Sequence, residues 1–181
     1  MTTIAIAGAT GAVGQQMLEC LKERNIKANL KLLASARSKG KEIDGHIVEE
    51  LTKESFQGVD YVLGATGNDI TKMWMPWAKE AGCIVIDNSS AFRLENDVPL
   101  VIPEVNKEDI KKHHGLIANP NCATIIALVA LHALHKKYHI KRMIVTTFQA
   151  VSGAGVQGIE DLKNQIEDEN IPSKAFPYQI A

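Results

Sequence analysis

Ile4-Ala5-Ile6-Ala7 is a short apolar run that stops at Gly8, and beyond the following glycines Val13, Met17, Leu18 and Leu21 fall on one helical face. The pattern predicts a strand, a glycine turn and a helix. Further short apolar runs follow: Leu30 to Ser35 as a second strand, Ile43 to Leu51 as weaker strand or hairpin material, and Tyr61 to Gly64 as a buried strand. A helix over about Ile70 to Ala81 ends at Gly82, a natural helix stop. Cys83 to Asp87, Leu100 to Ile102 and Leu116 to Ala118 complete the strand set. Strands that alternate with helices predict an α/β fold, with a doubly wound, mostly parallel sheet covered on both faces.

Past Ala118 the texture changes. The apolar run Ile125 to Leu131 continues a helix that starts at Cys122, a longer strand spans Arg142 to Gln149, and Ser152-Gly153-Ala154-Gly155 leads into a polar helix. Lys163 to Lys174 is polar enough to form a mobile loop. The expected division is a nucleotide-binding domain over 1–121 and the beginning of an incomplete α+β domain over 122–181. The longest uncharged stretch, Gly115 to His135, is interrupted by Asn119, Pro120 and Asn121, and its helical remainder is shorter than the roughly 20 residues of a membrane span. The N-terminus has no basic segment before its apolar run, so no secretory signal is expected.

With 20 basic and 21 acidic residues the net charge is -1, which leaves no broad electrostatic footprint for nucleic acid or an anionic membrane. Any anion must be bound locally. The cysteines Cys20, Cys83 and Cys122 lack the spacing of a disulfide framework or a zinc site, and a reducing cytoplasm is the expected compartment. No metal is expected, because His132 and His135 share a helix face without an acidic third ligand. Met73, Trp74, Met75 and Trp77 read as core or interface residues.

Gly8, Gly11 and Gly14 stand between the first strand and its helix, where a Rossmann-type turn brings backbone close to a pyrophosphate at a helix N-terminus. Thr10 adds a hydroxyl. The spacing is G-x-x-G-x-x-G rather than the commoner G-x-G-x-x-G. The second strand ends in Ser35-Ala36-Arg37-Ser38, without the acid that accepts from a ribose 2′-OH; an arginine and two serines suit a 2′-phosphate, hence NADP. Arg93 lies beyond the carboxyl end of a predicted strand and suits a phosphate or carboxylate clamp, or an ion pair with Glu95. The glycines after Ser152 suit a further backbone cradle, while Gln149 alone is ambiguous. Cys122 is a candidate nucleophile: a thiol at a helix start meets the positive end of the dipole and unpaired N–H donors, which favour a thiolate.

In order along the chain, Gly8 to Gly14, Ser35 to Ser38, Asp87 to Ser90, Pro103 to Asn106, Asn119 to Cys122 and Gln149 to Gly155 resemble segments of the bacterial aspartate-semialdehyde dehydrogenase family. The resemblance implies an NADP-dependent enzyme interconverting aspartyl 4-phosphate and aspartate 4-semialdehyde, on the route to lysine, threonine and methionine. It implies Cys122 as nucleophile, Gln149 as a catalytic and substrate-positioning residue, and Arg93 and Asn121 as further substrate contacts. Gly8, Thr10, Gly11, Ala12, Val13, Ser35, Arg37, Ser38, Ser152 and Gly153 become the cofactor contacts, and a homodimer the expected assembly. The chain ends about halfway through such a protein, so the histidine acid/base partner is expected beyond Ala181 and the chain alone is expected to be inactive. The rival readings are an N-acetylglutamyl-phosphate reductase, against which Asn121 speaks because that relative resembles N-P-G-C here, and a non-catalytic NADP-binding module or subunit.

Overall fold

The first apolar run forms β1 (Thr3–Ala7), the central strand of a seven-stranded sheet in the computed structural model, which describes residues 1–178 and 180. Helix α1 (Ala12–Glu23) follows, then β2 (Asn29–Ala34), a hairpin of β3 (Glu42–Ile43) and β4 (His46–Glu50), and β5 (Tyr61–Gly64). Next come α2 (Asn68–Glu80), β6 (Ile84–Asp87), the short α3 (Pro103–Asn106), β7 (Leu116–Ala118), α4 (Cys122–Tyr138) and α5 (Gly155–Glu167). The order is β3-β4-β2-β1-β5-β6-β7, and only β3 runs antiparallel to its neighbour. Counting the parallel strands alone gives 3-2-1-4-5-6, the dinucleotide-binding order. The doubly wound, mostly parallel sheet is therefore observed.

Alternate side chains of each strand feed opposite faces. Ala5, Ala7, Leu33, Val62 and Val85 meet Trp74, Met75 and Ala78 of α2, whereas Ile6, Leu32, Ala34 and Val48 meet Leu18 of α1. β1 is apolar and buried along nearly its whole length, whereas β4 toward the sheet edge buries only Val48 between exposed Ile47 and Glu49. Full burial of each large apolar side chain contributes about 1.5–3 kcal/mol. Trp74 stacks on Phe56 with ring centroids 5.7 Å apart and donates its indole N–H to Thr66 Oγ1 at 2.9 Å. A buried polar atom is thereby satisfied.

Three expected segments differ. Leu100 to Ile102 makes a single bridge, from Leu100 to Ala118, and not a strand, and Pro103 then starts α3. Arg142 to Gln149 forms no strand: among the described residues nothing lies beside it to complete a ladder, and an extended segment cannot satisfy its own backbone. Lys163 to Lys174 is not a free loop, since Lys163 to Glu167 completes α5 and Ser173 and Lys174 are held by hydrogen bonds to Asp161. Among the described residues no helix is long and apolar enough to cross a membrane.

Candidate active site

Parallel pairing puts the carboxyl ends of the strands at one edge: Ala7 is in register with Leu33 and Gly64, Gly64 with Asp87, and Asp87 with Ala118. The loops after β1, β2, β5, β6 and β7 therefore share an edge, where such sheets bind ligands.

The first loop is built to meet an anion. Gly8 has φ 92°, and a Cβ there would sit 2.5 Å from the Ala65 carbonyl oxygen; at Gly14 a Cβ would overlap the Gly8 carbonyl and lie 2.7 Å from Ala9 Cα. Gly11 is different. It is the N-cap of α1, makes no side-chain cap bond, and a Cβ on it would meet only the Gly8 carbonyl oxygen, at 3.4 Å. With no acid in the first turn, α1 presents uncapped N–H groups to the edge, which is what a pyrophosphate needs. The Gly8 and Ala9 amides donate to Leu33 O, tying this loop to the end of β2. Gln15 Nε2 braces it through Thr10 O at 3.1 Å.

Beyond β2, Ser35 precedes the 3₁₀ turn Ala36–Ser38, closed by Ser38 N donating to Ser35 O at 2.8 Å. Arg37 is exposed, Ser38 is buried, and among the described residues Arg37 joins no ion pair.

The loops after β6 and β7 are joined by Arg93. Its Nε donates to Asn119 O at 2.9 Å and its Nη2 to Asn88 O at 2.8 Å, so the structure selects backbone carbonyls over Glu95 as its partners. Asn119 Nδ2 donates to Asn88 Oδ1, and buried Asp87 accepts from Ser89 N and Oγ at 3.0 and 2.6 Å. The next residues lead to α4, whose first residue is the exposed Cys122. The expectation of unpaired donors there needs correction. Asn121 is the N-cap, and its Oδ1 accepts from Ala123 N and Thr124 N at 3.0 and 3.3 Å, so two first-turn amides are already engaged.

Gln149 precedes the 3₁₀ turn that leads into α5. It lines a cavity of about 490 Å³ with Gly153, Phe176 and Tyr178. Ser152 and Gly153 lie in the 3₁₀ turn that leads into α5, which packs on α1. Gly153 accommodates Gln149: a Cβ there would be 2.6 Å from Gln149 Nε2. Among the described residues no hydrogen bond joins Gln149 to Arg93 or Cys122.

Residues 3–113 match the family model described as semialdehyde dehydrogenase, NAD binding domain. The chain belongs to the semialdehyde dehydrogenase family. Residues 131–181 match that family's dimerisation domain. The chain is 50% identical to an Aquifex aeolicus aspartate-semialdehyde dehydrogenase, covering 98% of this chain and 56% of the relative. It thus spans about half the length of the curated relatives it matches. A Vibrio cholerae aspartate semialdehyde dehydrogenase II, solved in complex with ASA, superposes with a TM-score of 0.87 at 44% identity over 100% of this chain and 57% of the other. A Candida albicans aspartate semialdehyde dehydrogenase solved with NADP superposes at 0.65 with 26% identity, covering 77% of this chain and 48% of that one.

Two residues of this semialdehyde dehydrogenase edge have no role in the sequence reading, Asn88 and Asn119. Their signal is positional: each directly follows a strand, and both engage Arg93. Among the described residues no three His, Cys, Asp or Glu side chains converge as a metal site requires.

Proposed function

We propose that this chain carries the nucleotide half and the nucleophile of an NADP-dependent aspartate-semialdehyde dehydrogenase, with the domain boundary between Asn121 and Cys122. The observation that carries this reading is the meeting at one sheet edge of an uncapped α1 N-terminus, Arg93 and the start of the Cys122 helix. Gly8, Thr10, Gly11, Ala12 and Val13 hold the dinucleotide, Arg37 with Ser35 and Ser38 hold its 2′-phosphate, and Ser152-Gly153 complete the site. When bound, the reduced cofactor supplies hydride.

Cys122 Sγ attacks the acyl carbon of aspartyl 4-phosphate, and the C–O bond breaks as phosphate leaves with the bonding pair. Arg93 Nη1, outside its bonds to the loops, steadies the departing phosphate, while Asn121 and Gln149 position the substrate. After reduction, cleavage of the C–S bond frees aspartate 4-semialdehyde and restores the thiolate. In the oxidative direction inorganic phosphate cleaves the thioester. His132 and His135 lie more than two turns along α4 from Cys122, roughly 15 Å or more by helical rise, so neither is assigned as acid or base. The dimerisation-domain match supports a homodimer, and three free cysteines support a reducing cytoplasm.

Phosphate-dependent NADPH formation from aspartate semialdehyde tests the reading. We expect Cys122→Ser to lower any turnover at least about a thousandfold, with NADPH bound more tightly than NADH. NADPH binding without turnover fits either an incomplete half-chain or a binding module. Turnover of only the N-acetylglutamate semialdehyde overturns the substrate assignment. Asn121 weighs against that outcome, since the N-acetylglutamyl-phosphate reductase resembles N-P-G-C where this chain has Asn121 before Cys122.

A further inference from the structure

The Arg93 guanidinium is engaged by the protein itself. Nε reaches the carbonyl of Asn119, after β7, and Nη2 reaches the carbonyl of Asn88, after β6. The same two loops are joined by the Asn119 to Asn88 side-chain bond, and Asn119 N donates to Asp87 O at 2.8 Å. Asn119 is therefore fixed from both backbone and side chain.

From Asn119 to the thiol the chain has little freedom. Pro120 is buried and its ring fixes φ. Asn121 is extended at φ -62° and ψ 141° and locked to the first turn of α4 by its two cap bonds. Cys122 follows at once. A displacement at Asn119 is passed to the start of α4 because no residue between them can absorb it.

We propose that Arg93 is a positioning residue for Cys122: by bonding the Asn88 and Asn119 carbonyls it sets the start of α4, and with it the reactivity of the thiol. The role is additional to holding an anion, and it rests on the proposed function only for the nucleophile assignment. A lysine separates position from charge. It keeps the cation but replaces the planar fork with a single ammonium, which does not reproduce two bonds to carbonyls of different loops.

The test is the rate of alkylation of each cysteine by iodoacetamide in this chain, read by peptide mass mapping across pH. Exposed Cys20 is the internal reference, and Cys83, whose thiol burial pushes up, is the slow one. Cys122 is expected to react faster than Cys20. Arg93→Lys and Arg93→Gln are expected to lower its rate alike, by about fivefold or more relative to Cys20. Retention of the full rate in Arg93→Lys with loss only in Arg93→Gln makes charge the cause and overturns the proposal. Amide exchange over residues 117–123 gives an independent reading. Arg93→Lys is expected to raise it, and Asn119→Ala, which keeps the carbonyl and removes only the side-chain tie, to raise it less. Should Cys122 react no faster than Cys20, the nucleophile assignment falls. The clamp is then decided by exchange alone, and unchanged exchange in Arg93→Lys overturns it.

Discussion

The three glycines of the first loop are alike in sequence and unlike in constraint. Alanine at Gly8 meets the Ala65 carbonyl and a φ of 92°, and alanine at Gly14 meets backbone of Gly8 and Ala9, whereas at Gly11 nothing is closer than 3.4 Å. Gly8→Ala or Gly14→Ala is expected to cost about 1–3 kcal/mol, as overpacking against fixed atoms does. Gly11→Ala is expected to keep stability within about 0.5 kcal/mol while weakening NADPH binding, because the new methyl stands at the uncapped start of α1, where a pyrophosphate is proposed to bind. Thermal melts and NADPH titration of the three variants separate the cases; equal loss of stability in all three contradicts the assignment. Gly153 is a fourth kind, since its hypothetical neighbour is the mobile end of Gln149. Gly153→Ala is expected to leave the melting midpoint nearly unchanged and to shift the Gln149 side-chain amide resonance. The turn was legible in sequence here, because glycine between strand and helix has few uses. The partners of Arg93 were not: Asn119 lies 26 residues away, and only the order of β6 and β7 makes it a neighbour.

At the scale of elements, the two helix starts facing the edge are finished differently. α1 begins at Gly11 without a side-chain cap, and α4 begins at Asn121 with one. The first is open to an anion and the second fixes its own first turn. α5 carries a different fastening. Asp161 is buried, and its carboxylate accepts from the Ala175 and Lys174 amides and Ser173 Oγ, each at 2.7 Å, and from Gln157 at 2.8 Å. The Ala175 amide foremost, with Ser173, Gln157 and Lys174, outweighs the effect of burial and holds the carboxyl at about 2. A carboxyl depressed in the folded state stabilises fully above its ordinary value of 3.8, and the gain is lost as pH falls toward 2. Protection of the 173–175 amides should therefore persist at about pH 5 and decline between about pH 4 and 2. Asp161→Asn should lower it already at neutral pH and speed tryptic cleavage after Lys174. Unchanged cleavage in that variant counts against the fastening. The β1, β2, β5, β6 and β7 segments were legible because each is a short apolar run between turn residues. Arg142 to Gln149 has the same texture, yet a strand exists only when another pairs with it, and no local pattern reports that.

For the molecule as a whole, the distribution of apolar surface is uneven. The sheet between α1 and α2 has a dry core on each face, while α4, apolar around its circumference, has no buried residue. Ile126 is 72% exposed, and on the segment that follows α4 Ile144 is 80% and Phe148 100% exposed. A helix with this composition is normally covered on all sides, and exposed apolar side chains in this number favour association. The nucleotide loops lie elsewhere, between the ends of β1 and β2 and the start of α1, within the well-packed part. The two properties should therefore separate. Sedimentation velocity of the chain is expected to show concentration-dependent association, which Ile126→Lys combined with Phe148→Ser reduces. NADPH affinity is expected to change less than about threefold in the same variant, since neither substituted side chain belongs to the β1–α1 turn and independent sites act additively. A chain monomeric at all concentrations would show that α4 and the 142–149 segment do not attract a partner copy. A parallel collapse of NADPH binding would show that the two parts are stabilised together, so that the core between α1 and α2 does not sustain the nucleotide edge by itself.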